Sequence, residues 1–102
     1  MSKRLELFDK LIAEGSKDPF HHYGRAMELR SLGRDAEALL AFEDVIARFA
    51  DYVPSYLMAA QQAKALGRIQ EARAHAEHGI DAAKRAGNDH ALSELSELLD
   101  AL

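Results

Sequence analysis

Two stretches of the chain repeat each other at an interval of 34 residues. Leu32, Gly33 and Arg34 return as Leu66, Gly67 and Arg68, and Glu37, Ala38, Glu43 and Ile46 return as Glu71, Ala72, Glu77 and Ile80. A fixed period of this size marks a stacked-repeat architecture, because one such unit cannot bury its apolar face alone and must lean on the next. The 102 residues are enough for one domain with a core and too few for a second independent one.

The spacing of apolar residues, read against helix start and stop signals, predicts six helices. The first runs from about Lys3 to Glu14, with Leu5, Phe8, Leu11 and Ile12 on one face and Gly15 as its stop. Asp18 caps and Pro19 opens the second, which carries Tyr23, Ala26, Met27 and Leu29 and ends at Gly33. The third spans roughly Asp35 to Phe49 and buries Ala38, Leu39, Phe42, Val45, Ile46 and Phe49. Pro54 starts the fourth, with Tyr56, Leu57, Ala60 and Ala63, and Gly67 stops it. The fifth covers about Gln70 to Ala86 with Ala72, Ala76 and Ile80 inward. After Gly87 and Asn88, the residues Ala91, Leu92, Leu95, Leu98, Leu99 and Leu102 make a last amphipathic helix, with Asp89, Glu94, Glu97 and Asp100 as its polar outer face.

One more period back, Phe8, Ile12 and Ala13 coincide with Phe42, Ile46 and Ala47, so the opening helix is itself half a unit. The chain divides into a half-repeat (1–16), a first repeat (19–52), a second repeat (53–86) and a capping helix (88–102). Ala26 and Ala60, like Ala38 and Ala72, recur at equal phase, and such small residues let paired helix axes approach closely. Gly33 and Gly67 serve the tight turn within each pair.

A helix pair of 34 residues, small residues where the helices cross, glycine at the turn and alanine four or five residues on resemble the tetratricopeptide repeat. The second halves, Glu37 to Ile46 and Glu71 to Ile80, match it best. More narrowly, Asp18-Pro19-Phe20, then Tyr23, Ala26 and Glu28, then Asp51 to Pro54, then Gly87 through Leu95 resemble short single-domain bacterial proteins of that class. The chain departs from the pattern in the first helix of each unit: where an aromatic and a leucine are usual, it has His22 and Arg25, then Tyr56 and Ala59. The resemblance implies an all-α, right-handed solenoid of antiparallel helix pairs whose concave face holds another protein.

In that family the first helix of each pair lines the concave face. By the resemblance, Phe20, Tyr23, Met27 and Arg30, and one unit on Leu57, Met58, Gln61 and Lys64, become the expected partner-binding residues. Spacing of three and four puts Phe20, Tyr23, Met27 and Arg30 on a single helical face. An aromatic and methionine stripe with a basic edge suits an amphipathic helix or extended segment with apolar anchors and an acidic neighbour. The alternative use of the same stripe is as core between the opening half-unit and the first pair. Relatives that grip a C-terminal carboxylate do so with lysine and asparagine, where Tyr23, Met27 and Met58 stand here, so that mode is not expected.

Other chemistry finds little footing. The 13 basic and 17 acidic side chains, net charge -4, are spread rather than blocked, which argues against nucleic acid. The absence of cysteine excludes disulfides and thiolate chemistry, and no apolar run reaches the roughly 20 residues of a membrane span. No secretory segment opens the chain, so a cytoplasmic location without membrane insertion is expected. Of five histidines, His75 and His78, with Glu71 a turn earlier and His90 as the one nearby addition, form the sole arrangement worth testing for zinc or nickel. His21 and His22, being adjacent, are expected to point apart. No resident metal or cofactor is expected.

No phosphate loop, nucleophile elbow or HExxH is present, and the acidic pairs Glu43/Asp44 and Glu94/Glu97 are expected on outward faces, so no catalysis is expected. The second functional reading is self-association through the capping helix or the convex side.

Overall fold

A computed structural model describes residues 2–102 as six α-helices: α1 (Lys3–Ala13), α2 (Pro19–Ser31), α3 (Asp35–Arg48), α4 (Pro54–Ala65), α5 (Ile69–Ala86) and α6 (Asp89–Asp100). The expected half-repeat at 1–16 begins at Met1, which lies outside the described residues. Each helix packs on its neighbours in sequence, and α4 also touches α6. This is a solenoid of antiparallel hairpins, in which each element finds its burial locally.

The turns explain the repeat. Gly33 (φ 74°) and Gly67 (φ 76°) are left-handed. At the first, Gly33 N–H donates to the Arg30 carbonyl and Arg34 N–H to that of Leu29, both at 3.0 Å. One period on, Gly67 donates to Lys64 and Arg68 to Ala63, both at 2.9 Å. These paired bonds are a Schellman closure, and they satisfy carbonyls that the helix end leaves open. Gly15 and Gly87 close α1 and α5 the same way. Behind each interior turn the repeated arginine pairs with the repeated glutamate, Arg34 with Glu37 at 2.7 Å and Arg68 with Glu71 at 3.9 Å. The recurring letters thus encode one turn built twice.

The helix starts follow local chemistry too. Ser2 accepts from Leu5 N–H at the head of α1, Asp18 from Phe20 N–H at α2, and Asn88 from Ala91 N–H at α6. Proline opens α2 and α4 at positions whose N–H has no helical partner.

Two apolar clusters form the interior. The first joins Ala26, Leu29, Ala38, Leu39, Phe42, Met58, Ala59, Ala63 and Ala72; the second joins Val53, Tyr56, Ala82, Ala83 and Leu95, and Ile46 touches both. Alanine dominates because the helices cross closely, and the four alanines at equal phase are fully buried. Gly79 carries this further: a Cβ there would meet Tyr56 Cβ at 2.6 Å and Leu95 Cδ2 at 2.9 Å. In α2 the bare Cα of Gly24 receives the ring of Phe8 from α1. Neither interior glycine follows from periodicity, since only the opposing helix reveals its use.

Three expectations need correction. Glu43 does not face outward: it accepts a hydrogen bond from His75 Nε2 of α5 at 2.8 Å, half-buried, and so bridges α3 to α5. His21 and His22 do converge, both on Ser16. His21 Nδ1 meets its hydroxyl at 2.6 Å, and His22 Nε2–H donates to its carbonyl at 2.9 Å, since a residue in a tight loop offers side chain and backbone to different neighbours. His22 is buried and packs on Phe49, taking over the structural part of the aromatic usual in its place. The third correction concerns α6 and belongs to the site.

Candidate interaction groove

The alternate helices α2, α4 and α6 share one side of the solenoid. Where they meet, Tyr23 from α2, Val53, Pro54, Leu57 and Met58 from the start of α4, and Asn88, His90, Ala91, Glu94 and Leu95 from α6 surround a depression of about 290 Å³. That volume sits at the lower edge of the roughly 300–1,000 Å³ of small-molecule sites. It is proportioned for side chains of a partner. A larger depression of about 440 Å³, between Ser2, Leu5, Glu6, Leu32 and Arg34, lies at the α1 end away from this face, and its size alone makes no case for binding.

Tyr23 is held by two aromatic neighbours, Phe42 of α3 with ring centroids 5.8 Å apart and Tyr52 of the following loop at 5.3 Å. Burial, then Tyr52, raise the Tyr23 phenol above its ordinary pKa, and the positive charge of Arg30 opposes them. Tyr23 therefore stays neutral and presents a rigid, half-buried surface. Leu57 is half-buried against the second cluster, and Met58 is at the edge of full burial within the first.

The eight residues expected to touch a partner distribute unevenly. Tyr23, Leu57 and Met58 come together at the depression. Met27 packs on the first cluster beside Tyr23, Gln61 is half-buried, and Arg30 and Lys64 are exposed in the last turns of α2 and α4. Phe20 is 56% exposed and sits edge-on to Phe8 of α1, at 6.5 Å, so it belongs to the α1–α2 seam rather than to the depression.

Helix α6 is the third correction. Its acidic residues do not all form an outer cap: Glu94 lines the depression and bonds His90 at 3.1 Å. Asp89 opens α6 35 positions after Pro54, the same step that separates Pro54 from Pro19, but the residues of α4 hardly recur in α6, so a match of letters does not reach it. The helix stands where the first helix of a third unit would stand, and His90, Ala91 and Glu94 are groove residues that the repeat pattern missed. The equal spacing of the three helix starts is the signal that points to them.

The histidines do not assemble. His75 is engaged with Glu43 and His90 with Glu94, leaving His78 exposed on its own. Among the described residues no three potential metal ligands gather, and no helix is long and apolar enough to cross a membrane.

Stacked hairpins with an open face along their first helices define a helical-repeat protein. The solved structures agree. The crystal structure of a tetratricopeptide repeat domain protein from Salinibacter ruber superimposes with a TM-score of 0.76 at 30% identity, over 81% of this chain and 92% of that one. The solution structure of the Salinibacter ruber domain gives 0.77 over 84% of its length. A protein of Bordetella parapertussis, 18% identical, shares the fold over 99% of this chain and 88% of its own with a TM-score of 0.82. No protein-family model matches the chain, and no curated protein sequence matches it. The chain belongs to the tetratricopeptide repeat family.

Proposed function

We propose that this protein is a noncatalytic adaptor that holds a peptide or amphipathic helix of another protein against α2, α4 and α6. The observation that carries this reading is the depression shared by the three helices, apolar at its base through Tyr23, Leu57 and Met58. Burial of partner side chains there supplies affinity, and Arg30, Gln61 and Lys64 set polarity and register. Phe20 extends the surface toward α1 for a longer segment. The division into half-repeat, two repeats and closing helix makes the whole chain one binding unit.

The test is a pull-down with wild type and with a folded Tyr23→Ala, Arg30→Glu variant. Loss of specific partners from the variant is expected. An unchanged bound set would move the binding surface elsewhere.

A further inference from the structure

The charges along the groove are sorted by helix. Helix α4 has Lys64 as its one charged residue. On α2, Arg25 is spent on Asp9 at 2.7 Å and Glu28 is engaged by Ser2 and Arg4 of the α1 end, which leaves Arg30. Among the described residues neither Arg30 nor Lys64 has a carboxylate partner. Helix α6 carries Asp89, Glu94, Glu97 and Asp100 and no lysine or arginine; Glu94 already meets His90 at 3.1 Å, whereas Glu97 has no such partner among the described residues. Glu97 lies three residues beyond Glu94 and shares its face.

The second observation is electrostatic. A helix C-terminus carries partial negative charge and favours cations. The last turns of α2 and α4 obey this with Arg30 and Lys64, whereas the last turn of α6 holds Glu97 and Asp100 and takes its cation from Arg73 of α5, whose Nη2–H donates to the Leu102 carbonyl at 3.4 Å. Carboxylates placed against the macrodipole cost stability rather than supply it. Arg73 serves the terminal carbonyl, and among the described residues Glu97 and Asp100 have no ion-pair partner of their own, which leaves their charge open to a ligand's.

We propose that the groove is bipolar: Glu94 and Glu97 hold a basic residue of the bound segment, Tyr23, Leu57 and Ala91 seat its apolar anchor, and Arg30 and Lys64 hold an acidic residue on the other side. This rests on the adaptor reading and specifies its ligand. The recognised sequence is therefore a run with opposite charges flanking an apolar residue.

The experiment is selection from a phage-displayed library of random octapeptides on wild type, on Glu94→Lys/Glu97→Lys and on Leu57→Arg, each variant first checked by circular dichroism. Wild type is expected to enrich peptides that pair a basic residue with an apolar anchor, and the α6 variant to enrich an acidic residue in its place. A synthetic peptide chosen on wild type should lose roughly three- to tenfold in affinity on the α6 variant and regain it when its basic residue is changed to Glu. Enriched peptides with an apolar anchor but no charge bias, or an affinity indifferent to the α6 reversal, would overturn the bipolar assignment and leave the groove intact. No enrichment on wild type, or equal binding to Leu57→Arg, would overturn the groove itself.

Discussion

At Gly79 the missing side chain is what lets α4, α5 and α6 meet, since a methyl group would sit 2.6 Å from Tyr56 Cβ, an atom fixed to its own backbone. Gly79→Ala gains up to about 1 kcal/mol in helix propensity. It loses about 1–3 kcal/mol to overpacking, so thermal melting is expected to show net destabilisation. Gly24→Ala makes the contrast, because the Phe8 ring that it meets is the far end of a side chain that can swing away; a near-neutral melting temperature with a loosened α1 is expected from melting and hydrogen exchange. The tyrosines give a pH test. Burial raises the phenols of Tyr23, Tyr52 and Tyr56, so the folded state keeps their protons longer than the unfolded chain does. Their contribution to stability is complete below about pH 10 and is lost as pH rises through the folded values. Denaturant titrations across that range should show stability falling as phenolate absorbance rises, and Tyr23→Phe should shrink the fall.

Between elements, the Schellman turns and the α3–α5 contact carry the testable content. A Cβ at Gly33 or Gly67 would meet nothing within 4 Å, so any penalty there is purely backbone. Gly33→Val and Gly67→Val should each cost at least about 1–2 kcal/mol, the strain of a left-handed β-branched residue, with equal costs marking equivalent turns. The pair His75 and Glu43 should show a coupling of about 1 kcal/mol in a double-mutant cycle, because the bond is half-buried and spans two helices. The helices themselves were legible from sequence because their signals are local: Asp18-Pro19, Pro54, and glycine after α1, α2, α4 and α5. The bond between Glu43 and His75 was not, because it depends on how α3 and α5 are juxtaposed, and a carboxylate beside Asp44 reads as solvated until that contact is known. The same holds for Gly24 and Gly79, whose partners lie on other helices.

For the whole molecule, the radius of gyration of 13.4 Å is that of an ordinary globular domain of this length, about 13 Å, so two helix pairs with a single helix at each end are too few to stretch into an open superhelix. The groove is consequently a shallow face with one depression. That is why the eight sequence-derived groove residues divide: Tyr23, Leu57 and Met58 meet there, and Phe20 is drawn toward α1. The role of α6 escaped the repeat pattern because its residues hardly repeat those of α4, although its start keeps the 35-residue step from Pro19 to Pro54. The exposed large apolar side chains Leu7, Phe20, Leu32, Leu40 and Ile69 fall one each on α1, α2, the turn after it, α3 and α5, and apolar residues placed singly are ordinary surface. Sedimentation over a range of concentrations is therefore expected to report a monomer, and concentration-dependent mass would revive self-association. The central claim, that α2, α4 and α6 form the face that receives a partner, is tested most directly by mapping amide chemical shifts while a selected octapeptide is titrated into the labelled protein. Perturbations gathered on Tyr23, Leu57, Gln61, Ala91 and Glu94 are expected; perturbations gathered on the outward faces of α1, α3 and α5 would contradict it.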